Sequence, residues 1–263
     1  MATQMELNPI PMPAADAQTV VPIDSTKLAA RIEPFDSYWQ APDDVESGYH
    51  KFAAYYKHNY SRHLPRDKNV SILVISCGPG YLVDLLRSEG YERVVGIDSD
   101  DEKIAYGKNR GLDCRVARAF EFLQDNPDVN YDVIIPEQEL SHLTHEETIA
   151  FLRLCYSRLG RDGILIAYTL NGANPLVGSE NLAHNIDHFY TVTEYSFHQL
   201  LDLAGFRNIK IHPLKLYVFW KNPLNYVGLV ATTILELSFR AIFALYGKKV
   251  KILTKKILAT SIK

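Results

Sequence analysis

Cysteine is scarce in this chain. The three residues, Cys77, Cys114 and Cys155, are odd in number and far apart, which excludes a disulfide framework and gives no metal-ligand spacing. The N-terminal segment has no basic stretch leading into an apolar run, so no secretory leader is expected, and the free thiols fit a reducing, cytoplasmic compartment. No internal repeat is present. A third glycine is also missing: position 83 is valine where the longer G-x-G-x-x-G fingerprint of dinucleotide sites carries glycine. Charge of one sign is nearly absent from the end of the chain, where residues 211–263 carry nine Lys or Arg against a single acid, Glu236. The remainder is correspondingly acidic, which argues against nucleic acid as a partner there and gives the basic tail an anionic surface as its natural counterpart.

What is present begins with length. At 263 residues the chain can bury one large core, or one core with an appendage. Residues 1–34, rich in Pro and Ala, are expected to be disordered or loosely packed. A helix is expected over 43–63, where Tyr49, Phe52, Tyr55, Tyr56 and Tyr60 recur. From residue 70 strands and helices alternate. Strands are expected at 71–76, 93–98, 114–117, 131–136, 163–170 and 208–219, with helices at 80–89, 100–110, 118–125, 145–159 and 193–204. Short apolar strands between amphipathic helices predict a parallel sheet covered on both faces, with ligands at the carboxyl edge of its strands. The rhythm then breaks. Residues 226–247 form a long apolar stretch interrupted by Glu236 and Arg240, and "VKILTKKILATSIK" reads as a closing strand or hairpin.

The first strand, "SILVIS", runs into Cys77-Gly78-Pro79-Gly80. Glycines at 78 and 80 let a ligand approach the backbone. Asp98 ends the second strand, where an acid can accept hydrogen bonds from both hydroxyls of a ribose. The competing reading has Asp98 capping the next helix, a task open equally to Ser99 or Asp100.

Taken together, "ILVISCGPG", "VVGIDSD", "ARAFEFL", "YDVIIPEQELSHLT" and "TVTEYSFHQLLDLAGF" resemble class I S-adenosylmethionine-dependent methyltransferases over residues 35–263. The likeness is strongest to the bacterial branch that methylates sugars of surface polysaccharides or related small substrates. It implies a Rossmann-like, doubly wound, mostly parallel α/β sheet of seven strands, the last antiparallel, with a helical insertion at 223–247 before the final strand. It implies S-adenosyl-L-methionine as cofactor, with Ser76, Gly78 and Gly80 at the methionine part, Asp98 and Ser99 at the ribose, and Ala119 and Phe120 at the adenine edge. The chain departs from the family's pattern at Val74, where an acid is usual in the first strand, at Ser76, usually glycine, and at Arg118, often aspartate. Glu137 or Glu139 is the candidate replacement for the lost acid. A non-catalytic relative that kept the fold is the alternative these departures raise.

For proton removal from a hydroxyl acceptor, histidine is the natural residue, because it titrates near neutrality. His188 matches a family histidine and is the first candidate, His142 the second, with Asp187 orienting either. The histidine-rich segment 178–197 is expected to fold over the sheet edge as a lid. His184, Tyr190, Asn171, Tyr38 and Trp39 are candidate acceptor contacts. No metal is expected. The acceptor expected is a sugar or polysaccharide precursor, with a quinone- or lipid-like hydroxyl as the alternative. Glu236 and Arg240 argue against a membrane span at 223–247. Two readings stay open for residues 223–256: a helix lying in a membrane interface at the inner face, with the lysines on anionic headgroups, or a helix packed on the domain or on a second subunit in a homo-oligomer.

Overall fold

The computed structural model describes residues 42–137, 140–184, 186, 188–215 and 223–263. Tyr38, Trp39, Asp187, Glu139 and the expected disordered segment 1–34 lie outside the described residues. The chain opens with α1 (Pro42–Asn59) and a short 3-10 turn (Ser61–His63). It continues through β1 (Ser71–Ile75), α2 (Tyr81–Ser88), β2 (Arg93–Asp98), α3 (Asp101–Asn109), β3 (Cys114–Val116), α4 (Ala119–Asp125) and β4 (Tyr131–Pro136). After a 3-10 turn (Leu140–His142) come α5 (His145–Arg158), β5 (Leu159–Leu170), α6 (Gly178–His184), α7 (Glu194–Leu203), β6 (Arg207–Leu214), α8 (Leu224–Leu245) and β7 (Lys256–Ile262).

One seven-stranded sheet results, in the order β3-β2-β1-β4-β5-β7-β6. Strands β1 to β5 pair in parallel, and β7 runs antiparallel between β5 and β6. The order reverses between β1 and β4, which opens a crevice at their carboxyl ends where ligands of such sheets bind. All five residues of β1 are buried, because both faces of the sheet are covered. Leu73 and Ile75 face α4, α5 and α7 through Phe120, Phe151 and Phe197. Ile72 and Val74 face α1, α2 and α3 through Tyr60, Leu86 and Ile104. This two-sided burial explains the apolar runs Ile72–Ile75 and Val133–Ile135 in the central strands.

Several boundaries differ from expectation for local reasons. β5 begins directly after α5 rather than at 163. Leu159 already pairs with Tyr131, and the register then shifts around Asp162, which takes a left-handed φ of 59°. The segment expected as a lid contains the short helix α6, and its base is fastened to the sheet. Gly172 N–H donates to Val192 O and Val192 N–H to Leu170 O, while a Cβ on Gly172 would meet Thr191 Oγ1 at 2.4 Å. The closing segment is one strand, not a hairpin.

Helix α8 stands apart. It occupies the insertion before the last strand, has no buried residue, and its most apolar window has a mean hydropathy of 1.6 with none of that window buried. By length and composition it is long and apolar enough to cross a membrane.

Candidate functional site

The turn after β1 is built from left-handed backbone. Ser76, Gly78 and Gly80 have φ values of 55°, 54° and 87°. Only glycine takes this region without cost, so serine at 76 holds a strained conformation where the related motif carries glycine. Cys77 N–H donates to Ile97 O, and Gly80 N–H to Cys77 O at 2.9 Å, closing the turn. Helix α1 braces it from outside. The Tyr49 hydroxyl donates to Pro79 O at 2.6 Å, and the Tyr49 ring meets Tyr81 edge-on at 4.8 Å. Gly96 in β2 is a requirement missed at the sequence level: a Cβ there would lie 2.7 Å from Cys77 Sγ. The signal was a glycine inside an otherwise β-branched strand, which often marks a close approach.

Asp98 faces this turn from the end of β2. One carboxylate oxygen accepts from Gly78 N–H at 2.8 Å and the other from Asp100 N–H at 3.0 Å. Burial raises its pKa, while these two N–H groups and Lys103 oppose the rise. Asp100, not Asp98, caps α3, accepting from Lys103 N–H. Asp98 is thereby held by its neighbours with lone pairs to spare. Ser99 lies beside it, half-buried. Ala117 N–H donates to Asp98 O, which brings Ala119 and Phe120 to the same edge. The Phe120 ring turns inward, 5.5 Å from Phe151, and belongs to the core.

Glu137 follows β4. Its N–H donates to Ile75 O at 2.8 Å, and its carbonyl accepts from the Tyr168 hydroxyl at 2.9 Å. Val74 pairs with Ile135, so the alternation of strand faces places Glu137 on the face of Val74, one step nearer the carboxyl edge. The Tyr56 and Tyr60 hydroxyls of the α1 region approach its carboxylate. Burial raises the Glu137 pKa, opposed by Tyr60, Tyr56 and the charge of Lys256. Although the residue is only partly buried as a whole, its Oε1 atom is sealed from solvent and has no hydrogen-bond partner. A buried carboxylate oxygen without a donor is costly. The arrangement is one that a cationic donor would complete.

The next turn carries His142, 4% exposed, whose ring meets that of His188 edge-on at 4.6 Å. Phe189 N–H, donating to Ser141 O, ties the two segments together. His188 is half-buried and nearer solvent. The two candidate bases, far apart in sequence, thus form one pair at the carboxyl end of β4.

Two expected acceptor contacts are placed differently. Asn171 is fully buried. Its amide donates to Ile252 O and Thr254 O and accepts from Ala173 N–H, so it clasps the approach to β7. Tyr190 is 7% exposed, its hydroxyl shared with Thr148 at 2.6 Å and its ring stacked on His145, so it belongs to the core. His184 ends α6. Missed at the sequence level is the apolar character of this edge, where Leu176, Leu182, Ile186 and Phe189 are all exposed. Among the described residues no group of three His, Cys, Asp or Glu side chains is placed to hold a metal ion.

A family model described as a methyltransferase domain matches residues 49–211, more than half of the chain. No curated protein matches it. Among solved structures, a SAM-dependent methyltransferase from Archaeoglobus fulgidus superposes with a TM-score of 0.59 at 18% identity, over 82% of this chain and 94% of that one. The plantazolicin methyltransferase BpumL, in complex with SAH, gives 0.52 at 19% identity, over 90% and 96%. Human N-acetylserotonin methyltransferase, in complex with SAM, gives 0.55 at 12% identity, over 84% and 54%. At these identities the likeness is one of fold.

Proposed function

Because the chain belongs to the methyltransferase-domain family, we propose that it binds S-adenosylmethionine across the carboxyl ends of β1 and β2 and methylates a hydroxyl oxygen of a small acceptor. The observation that carries this reading is the unpartnered Glu137 Oε1 on the same edge as the glycine turn and Asp98. It suits the ammonium of the cofactor's methionine part, the partner that an acid at position 74 would otherwise supply. Asp98 in this reading accepts from the ribose hydroxyls. Gly78 and Gly80 leave room along the methionine chain, and Ser99, Ala119 and Phe120 border the adenosine side.

When bound, the cofactor offers an electrophilic methyl group on sulfur. The chain's own contribution is alignment, exclusion of water and removal of one proton. A neutral imidazole nitrogen of His188 takes the acceptor's hydroxyl proton as the new oxygen–carbon bond forms and the sulfur–carbon bond breaks. The proton passes afterwards to solvent. His142, packed edge-on against that ring, positions it.

The acceptor in this reading is a sugar hydroxyl on a precursor carried by a lipid. The glycan part rests on the resemblance to the polysaccharide-methylating branch, the apolar part on the exposed side chains beside the edge. The protein then works at the cytoplasmic face of a membrane, with α8 and the lysines of 248–256 towards lipid. Calorimetric titration with S-adenosylhomocysteine tests the cofactor: saturable binding is expected, and none at millimolar ligand overturns the reading. A mass-resolved acceptor screen follows, reading gain of one CH2 unit. With the acceptor in hand, His188→Ala is expected to lower kcat about 10²- to 10⁴-fold with little change in KM, as loss of a general base does.

A further inference from the structure

Helix α8 keeps apolar side chains on its outward side as well as on the side towards the protein. A surface helix normally aims its apolar stripe at the core. Here Val227, Val230, Ile234 and Leu237, spaced three and four apart along one face, are 57–66% exposed. The opposite face carries Thr232, Thr233, Glu236 and Arg240, and these residues, with Leu229 and Phe239, line a cavity of about 490 Å³ between the helix and the sheet edge. That volume lies within the roughly 300–1,000 Å³ usual for small-molecule sites. Val177 beyond β5, Leu214 at the end of β6 and Leu253 before β7 form the other wall. This is the carboxyl edge on which Glu137 and Tyr168 sit, and Lys256, next along the chain, lies over the Tyr168 ring at 4.8 Å.

The cavity's charge is one-sided. Glu236 and Arg240 pair at 3.7 Å, and the remaining charged residues lining it, Lys215, Lys251 and Lys255, are all cationic. We propose that this cavity holds the hydrocarbon chain of an anionic amphiphile, its phosphate-like head on Lys251 and Lys255, drawn from an anionic bilayer on which the outward face of α8 lies. Buried methylenes supply the affinity. The lysines select the charge of the head and the charge of the membrane surface. This deepens the reading above by giving the acceptor's chemistry, and it rests on that reading for methyl transfer but not for binding.

The test uses the full chain. Calorimetry with dodecyl phosphate below its micellar concentration is expected to show saturable binding. Thr233→Trp or Leu229→Trp, which fill the cavity from the helix side, should weaken it at least about tenfold. Co-sedimentation with phosphatidylglycerol/phosphatidylcholine vesicles is expected to exceed that with phosphatidylcholine alone, to survive Thr233→Trp, and to be lost in the double variant Lys251→Glu/Lys255→Glu. A wild type that ignores dodecyl phosphate, or a Thr233→Trp variant that binds it unchanged, overturns the role of the cavity. A stable dimer in light scattering that α8 deletion abolishes overturns the membrane as the helix's cover. S-adenosylhomocysteine titrated in the same samples separates the two readings. Its binding without dodecyl phosphate removes this inference alone, whereas dodecyl phosphate bound without it removes the methyl-transfer reading alone.

Discussion

Replacing Glu137 by glutamine preserves shape and removes one charge, and its consequences for stability and for binding should run in opposite directions. In the free protein the carboxylate is a burden, since Oε1 is shut away from water without a donor and burial raises the group's pKa above its ordinary 4.5. A carboxyl whose folded pKa lies above its unfolded value holds its proton more tightly in the native state. Its contribution to stability is therefore greatest in acid and declines as pH rises through that window. Glutamine cannot titrate, keeps an acceptor facing the Tyr56 and Tyr60 hydroxyls, and should leave the melting temperature at neutral pH equal to or above that of the wild type. Binding should respond the other way. A hydrogen bond between a carboxylate and an ammonium contributes about 1.5–3 kcal/mol, so its loss weakens S-adenosylhomocysteine roughly 10- to 100-fold. Calorimetry gives the affinity, and thermal melts across mildly acidic to neutral pH give the stability. An E137Q variant that binds S-adenosylhomocysteine as tightly as the wild type, or that melts well below it, would refute the assignment and leave Glu137 a structural acceptor for the two tyrosines.

Further outcomes are expected elsewhere. Asn171→Ala removes three hydrogen bonds in a fully buried setting and should cost about 2–4 kcal/mol, read as a drop in denaturant midpoint. Ser76→Gly relieves a left-handed serine at φ 55° and should stabilise by about 0.5–1 kcal/mol, the gain limited by glycine's greater freedom when unfolded. His63 is held neutral by burial and by the charges of His212 and Arg62, its pKa lowered from 6.5 to about 4, and its Nε2 accepts from Arg62 Nε. The folded state then binds fewer protons than the unfolded one, so stability should fall as pH drops from 6.5 towards 4. After discounting for its partial exposure the effect is about 1 kcal/mol, and His63→Gln should flatten that part of the profile in acid melts.

Much of the framework was legible from the residues alone. After Ser71, β1 is an unbroken apolar string because helices cover both faces of the sheet, and the central strand β4 shows the same two-sided burial over Val133–Ile135. Glycine at 78 and 80 marked the turn where backbone leaves room for a ligand, and the acid at 98 stood where the second strand had to end. Local chemistry sufficed for these, since periodicity and backbone freedom are properties of a few adjacent residues. β5 was harder, because its early start depends on a bulge at Asp162 and on pairing with Tyr131.

The tertiary structure decided what depended on distant partners. Asn171 and Tyr190 have the chemistry of acceptor contacts, yet the fold buries both and sets Ile252, Thr254 and Thr148 against their polar atoms, which nothing near 171 or 190 in the chain foretold. Glu137 Oε1 is sealed from solvent because residues of the α1 region close over it, and His142 meets His188 only because the segment after α6 returns to the end of β4. The sequence by itself determined that 224–245 forms an apolar helix followed by a basic tail. Only the fold decided that the stripe of Val227, Val230, Ile234 and Leu237 points away from the protein while Leu229, Glu236 and Phe239 turn towards the cavity, because helical spacing specifies which residues share a face but not what that face meets.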